Sequence, residues 1–203
     1  MTAISIAQLP HPLTSEEGDH ASVVQSDANA VTLVAKAGDD LFADPSGDGL
    51  VNTASLFTCE VTGDFQFSAR IRVTFRAKFD SGALVGYFND EAWFKICAEV
   101  DPLGQKRVVT VVTHGRSDDA NSTFLVKEDV LLRIARTGKT FALHASNDGR
   151  RWDLVRYFTL NQNNDVALHI GIAAQSPAGE GTSVVFSDFR WQETGLQDSR
   201  DGS

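Results

Sequence analysis

The chain reads as all-β, a sandwich of two antiparallel sheets in a single domain over residues 1–203, with an ordered core from about residue 30 to 191. Three observations predict this. Turn signals recur about every 8–12 residues across that core, the spacing of a sandwich or barrel. The segments between turns alternate apolar and polar side chains with a period of two. No long segment carries a helical period, and no repeat or linker divides the chain. With 203 residues, including 13 Phe, 3 Trp and 2 Tyr, the chain can bury a sizeable core without staples.

The elements follow in order. Over residues 70–78, Ile71, Val73, Phe75 and Ala77 point one way, and Arg70, Arg72, Thr74, Arg76 and Lys78 the other, as in a strand with one wet face. Over residues 93–100, Phe94, Ile96, Ala98 and Val100 make the apolar face, with Trp93, Lys95, Cys97 and Glu99 opposite. Residues 107–114 are nearly all Val and Thr, the composition of a central strand. Further strands are expected over 130–136, 140–146, 154–159, 166–174 and 183–191. Asp80-Ser81-Gly82 is read as closing a strand, and Asn89-Asp90-Glu91 and Asp101-Pro102-Leu103-Gly104 as turns. Thr137-Gly138-Lys139 and Asn147-Asp148-Gly149 read as tight hairpins, because Gly and Asn accept positive φ, with Trp152 anchoring the second in the core. Residues 39–48, rich in Asp, Gly and Pro, read as a loop, and the ends, up to about residue 12 and after about 192, read as loose.

The formal net charge of -9 repels phosphate backbones and acidic lipid surfaces, so neither nucleic acid nor membrane is an expected partner. Residues 1–10 carry no basic side chain and no long apolar stretch, so they are not read as a signal peptide. No segment approaches the length of a membrane span, and the expected compartment is cytoplasmic. Cys59 and Cys97 read as small buried hydrophobes with reduced thiols, since a disulfide would need neighbouring strands. No cysteine or histidine spacing points to zinc.

Two long stretches carry a family resemblance: Phe79-Asp-Ser-Gly-Ala-Leu-Val-Gly-Tyr-Phe-Asn-Asp-Glu-Ala-Trp-Phe-Lys-Ile-Cys-Ala-Glu99 and Val108-Val-Thr-Val-Val-Thr-His-Gly-Arg-Ser-Asp-Asp-Ala-Asn-Ser122. Supporting pieces are Val61-Thr-Gly-Asp-Phe65, Ser146-Asn-Asp-Gly-Arg-Arg-Trp152, Gly171-Ile-Ala-Ala-Gln-Ser-Pro-Ala-Gly-Glu-Gly181 and Val184-Val-Phe-Ser-Asp-Phe189. Together they resemble the DUF1349 family, the regulation-of-enolase group of the concanavalin A-like lectin/glucanase superfamily, over roughly residues 30–191. The resemblance implies a concanavalin A-like jelly-roll sandwich whose concave polar face holds carbohydrate in many relatives. Some members carry Trp where this chain has Phe42 and Asp119, so an aromatic stacking platform is weakened at those two points.

The candidate ligand face is the polar side of residues 93–100. Trp93 would stack on a sugar's C–H face, while Lys95 and Glu99 fix hydroxyls; His114, Ser117 and Arg133 are expected to converge on the same groove. The alternative is an ordinary solvated face with weak surface pairs. In Ser117-Asp118-Asp119-Ala120-Asn121, the oxygens of Asp118, Asp119 and Asn121 are of the kind that binds Ca²⁺. A full site needs about six to eight oxygens, and the Asp-x-Asp-x-Asp-Gly pattern is absent, so a loop held by Asx turns is the plainer reading and no cofactor is expected. A conventional glucanase is disfavoured: of Glu-x-Asp-x-x-Glu only Glu99 and Asp101 are present, and position 104 is Gly. No Gly-x-Ser-x-Gly elbow supports a triad of Ser117, His114 and an acid. His11, His20, His144 and His169 read as structural or solvated.

Three functions follow. The first is a binding module for a carbohydrate or sugar-like small molecule. The second is a cytosolic regulator acting through protein contacts, related to enolase by the family resemblance. The third is an unconventional hydrolase or isomerase using Glu99 with His114 or Lys95.

Overall fold

A computed structural model describes residues 2–15, 22–27, 29–47 and 49–203; His20 and Asp48 lie outside them. Among the described residues the regular elements are all strands, so no helix is long and apolar enough to cross a membrane. In chain order the strands are β1 (Ala3–Ile4), β2 (Leu13–Thr14), β3 (Ser22–Ser26), β4 (Ala30–Lys36), β5 (Leu41–Ala43), β6 (Leu50–Asn52), β7 (Leu56–Val61), β8 (Phe65–Val73) and β9 (Ser81–Asn89). They continue as β10 (Ala92–Val100), β11 (Lys106–His114), β12 (Arg116–Phe124), β13 (Asp129–Thr137), β14 (Thr140–Ser146), β15 (Asp153–Thr159), β16 (Leu168–Gln175) and β17 (Gly181–Gln192).

Two antiparallel sheets face each other. The eight-stranded sheet runs β1-β2-β7-β16-β9-β10-β11-β12 and the seven-stranded sheet β15-β14-β13-β8-β17-β4-β3. This is the expected jelly-roll sandwich. Its core is the set of inward positions that period two selects: Phe94, Ile96 and Ala98 of β10 and Leu168, Ile170 and Ile172 of β16 meet Phe65, Phe67 and Ile71 of β8 and Leu132 and Ile134 of β13. Phe94, Phe141 and Phe158 pack as a ring cluster with centroids 4.7 to 5.6 Å apart. Gly86 in β9 makes room for it, because an added Cβ would fall 2.3 Å from Phe94 Cζ.

Several boundaries differ from the alternation pattern. The strand expected over 70–78 begins at Phe65 and stops at Val73, where Thr74 leaves the ladder and Phe79 takes φ 68. Asp80-Ser81-Gly82 opens β9 instead of closing a strand. The segment read as a loop over 39–48 contains β5, which pairs with β6 in a two-stranded third layer. The ends are packed: Ile4, Ile6 and Leu13 join the core, and Leu196 sits against Ala135 and Ala142 on the outer face of the seven-stranded sheet. Trp152, read as a core anchor, lies on that outer face under the Arg133 guanidinium, 4.5 Å from its ring centroid. Cys59 and Cys97 are free and buried, on opposite faces of the eight-stranded sheet with β16 and β9 between their strands.

Candidate functional site

The outward face of the eight-stranded sheet carries the site. Alternation in β10 sends Trp93, Lys95, Cys97 and Glu99 to this side, and pairing places Val109 and Val111 of β11 beside them. Asp119 of β12 lies opposite Val111, and Gln175 closes β16 on the same face. The β5–β6 layer covers the Trp93 end, where Leu41 and Ala43 pack on Trp93, Val85 and Val111. What is left open is a pocket of about 170 Å³ lined by Asp40, Phe42, Phe79, Lys95, Glu99, Val109, Val111, Asp119, Gln175 and Pro177.

Its polar groups are held firmly on one side and left free on the other. Lys95 Nζ donates to Leu41 O at 2.8 Å and Gln175 Oε1 at 2.9 Å, although the side chain is almost completely buried. Gln175 Nε2 donates in turn to Asp40 Oδ1 at 2.6 Å, which also accepts from Leu41 N at 2.8 Å. Glu99 accepts only the weak Cys97 S–H, at 3.7 Å, among the described residues. Burial pushes the Glu99 carboxyl up to about 7; Lys95 pulls it down, and Asp119 and Asp40 push it up again. Asp119 is raised as well, by desolvation first, with Lys95 opposing and Asp118 adding. The Cys97 thiol is raised far above its ordinary value by burial and by Glu99, so it is inert as a nucleophile.

Two walls depend on one buried acid. Asp80 Oδ2 accepts Arg76 N at 2.8 Å and Ala77 N at 2.9 Å, and its Oδ1 accepts Ser176 Oγ at 2.6 Å. This clamp joins the turn that carries Phe79 to the loop that carries Pro177. Phe79 itself sits at φ 68, a conformation that costs a bulky residue free energy and persists where the surroundings enforce it.

Of the residues expected to converge, the structure brings together Lys95 and Glu99, and adds Asp119. Four others are elsewhere. Trp93 is fully buried beneath the β5–β6 layer, so its ring is no stacking platform. His114 is exposed and belongs to the opposite side of the sheet, opposite Ala92 in the ladder, which separates it from Glu99 and removes that catalytic pairing. Ser117 is buried, with Oγ 2.9 Å from Thr113 Oγ1 and accepting Ala43 N at 3.0 Å, so it pins β5 to the sheet. Arg133 is on β13 of the other sheet, buried beneath residues 193–203 and donating to Gly202 O at 2.9 Å.

The acidic stretch expected as a loop is strand β12. Its alternation leaves Asp119 and Asn121 on the pocket side and turns Asp118 away to pair with Arg156 at 2.8 Å. Among the described residues no three His, Cys, Asp or Glu side chains gather as metal ligands. Sequence reasoning missed Asp40, Gln175, Phe79 and Pro177 as lining residues. Asp40, Phe79 and Pro177 are on connections, where period two carries no information, and Gln175 is the last residue of β16. Phe42 and Asp119 both line the pocket.

The comparisons agree with this architecture. The model of the family described as protein of unknown function (DUF1349) matches residues 19–194, and the chain belongs to that family. No curated protein matches the chain in sequence. A functionally unknown protein from Saccharomyces cerevisiae superposes with TM-score 0.76 at 22% identity, over 84% of this chain and 91% of that one. A GH43 protein, BlXynB, from Bacillus licheniformis gives TM-score 0.65 at 13% identity, over 85% of this chain and 34% of that one. A xylan beta-1,4-xylosidase from Bacillus halodurans C-125 gives 0.62 at 15% identity, over 91% of this chain and 41% of that one. The chain spans less than half of either Bacillus protein, and at these identities the likeness shows the fold.

Proposed function

We propose that this DUF1349 member binds a small carbohydrate or sugar-like molecule in the pocket between Lys95, Glu99 and Asp119. One observation carries the reading: an anchored Lys95 beside carboxylates that keep free acceptor positions, over an apolar floor and between Phe42 and Phe79. Hydroxyl groups fill such acceptors, and ring C–H faces suit Phe42 and Phe79. The volume of about 170 Å³ lies below the roughly 300–1,000 Å³ of drug-sized sites, which favours a monosaccharide-sized group. A xylosidase among the proteins that share the fold is in keeping with this class of ligand.

The test is thermal unfolding against monosaccharides, oligosaccharides and sugar phosphates, for the native chain, Glu99→Gln and Asp119→Asn. A ligand at 100 times its Kd stabilises by about 2.7 kcal/mol, a shift of several degrees for this size. A shift lost in Asp119→Asn supports the reading. No shift with any sugar, or one that both variants keep, rejects it.

A further inference from the structure

The pocket's charges do not balance. Three carboxylates, Asp40, Glu99 and Asp119, line it against one cation, Lys95. Lys95 Nζ spends two of its donors on a carbonyl and an amide oxygen, and no described ion pair includes Lys95, Glu99 or Asp119. Asp40 is occupied by Gln175 and Leu41 N, so Glu99 and Asp119 are the pocket carboxyls that make no close ion pair among the described residues and feel Lys95 only at longer range. A second observation lies beside the pocket, on the same face of the sheet. Ser81, 1% exposed, is the direct cross-strand neighbour of Glu99 on β9, so its side chain shares that face, and its Oγ has no hydrogen-bond partner among the described residues.

We propose that the pocket selects an amine-bearing ligand, an amino sugar over its neutral counterparts, with the ammonium taken by Glu99 and Asp119; this rests on the binding reading above. A hydroxyl fills an acceptor but leaves Glu99 either protonated or, once ionised, repelled by Asp119. An ammonium fills the acceptor and removes the repulsion, through a charge-assisted bond about twice as strong as a neutral one. Phe42 adds an aromatic side chain of the kind that attracts cations, whereas the Phe79 ring already carries the Lys78 ammonium 5.7 Å from its centroid. A bare divalent ion is served less well, because Phe42, Phe79, Val109, Val111 and Pro177 contribute no side-chain oxygen.

Protons report on the same contact. Glu99 is faced by Lys95 and Cys97 from its own strand, by Asp119 from β12 and by Asp40 from the covering layer. Arg107, its neighbour on β11, is turned to Asp101 at 2.6 Å. Burial leaves Glu99 largely protonated at pH 6, so an ammonium that binds there displaces a proton.

Isothermal calorimetry with glucosamine, glucose and N-acetylglucosamine tests the proposal on the native chain, Glu99→Gln and Asp119→Asn; the Asp119 side chain reaches solvent at the pocket's rim, with its carboxyl partly desolvated there, so Asp119→Asn is expected to keep the fold. Glucosamine is expected to bind the native chain at least about tenfold tighter than either neutral sugar. The preference is expected to shrink to about threefold or less in each variant. At pH 6, two buffers of different ionisation enthalpy are expected to read net proton release with the native chain and a smaller release with Glu99→Gln. If a neutral sugar binds as tightly as glucosamine, or the preference survives both variants, the amine assignment fails while sugar binding stands. If none of the three binds, both fail.

Discussion

Trp93 shows how a side chain's role depends on what covers it. Period two correctly sends it to the polar side of β10, but that side carries a third layer, and the indole is fully buried with Leu41 and Ala43 against it. Alternation reports the parity of a residue within its strand and says nothing about whether a covering layer exists. Trp93→Ala is therefore expected to act through stability, by about 3–5 kcal/mol, in chemical denaturation of the ligand-free protein. A loss below 1 kcal/mol would contradict the packing. Lys95 belongs to the same argument. It is the largest influence holding the Glu99 carboxyl down, against burial. Lys95→Met is expected to move Glu99 further above about 7, and a carboxyl carbon titration by NMR reads it directly. An unchanged or lower Glu99 value would show that the two groups are not coupled.

At the level of strands and hairpins, β10, β11, β13, β14, β16 and β17 were legible because their inward positions are apolar and their turns carry Gly or Asn. β12 was not. Its sequence, Arg116-Ser-Asp-Asp-Ala-Asn-Ser-Thr-Phe124, has almost no apolar face, because an edge strand with a solvated outer side can be extended by pairing alone. The same blindness placed Arg133 with Lys95: strands from opposite sheets have identical patterns, and only the pairing separates them. The β5–β6 hairpin was hidden in a run of Asp, Gly and Pro, and its seat on the sheet depends on Ser117. Ser117→Ala removes the acceptor for Ala43 N and strands that N–H, an expected cost of about 1–3 kcal/mol. Hydrogen exchange at Ala43 should rise more than exchange in β8. Equal change at both would mean that Ser117 supports the fold generally and not this hairpin.

The two faces of the sandwich hold titrating groups with opposite effects on stability. Glu99, on the outer side of one sheet, is raised from 4.5 to about 7 by burial. The folded state then holds more protons than the unfolded chain between those values, so its contribution is present at low pH and is lost as pH rises through about 7. His144, on the outer side of the other sheet, is lowered from 6.5 to about 4 by burial, with Arg133 adding. It is sealed under residues 193–203, its Nε2 2.9 Å from Ser199 O. Here the unfolded chain holds more protons, so stability is present above 6.5 and is lost as pH falls toward about 4. Each effect is at most about 3 kcal/mol, and the windows overlap, so in the native chain they largely cancel. Separating them needs difference curves from urea unfolding between pH 4 and 7. Glu99→Gln minus native is expected to climb with pH, as the native chain alone loses the Glu99 contribution. His144→Asn minus native is expected to fall with pH, as the native chain alone gains the His144 contribution. Because the groups sit on opposite outer faces with the core between them, the double variant should equal the sum of the single ones to within about 0.5 kcal/mol. Coupling larger than that would mean that the two faces communicate through the core, and that ligand in the pocket shifts the packing of residues 193–203.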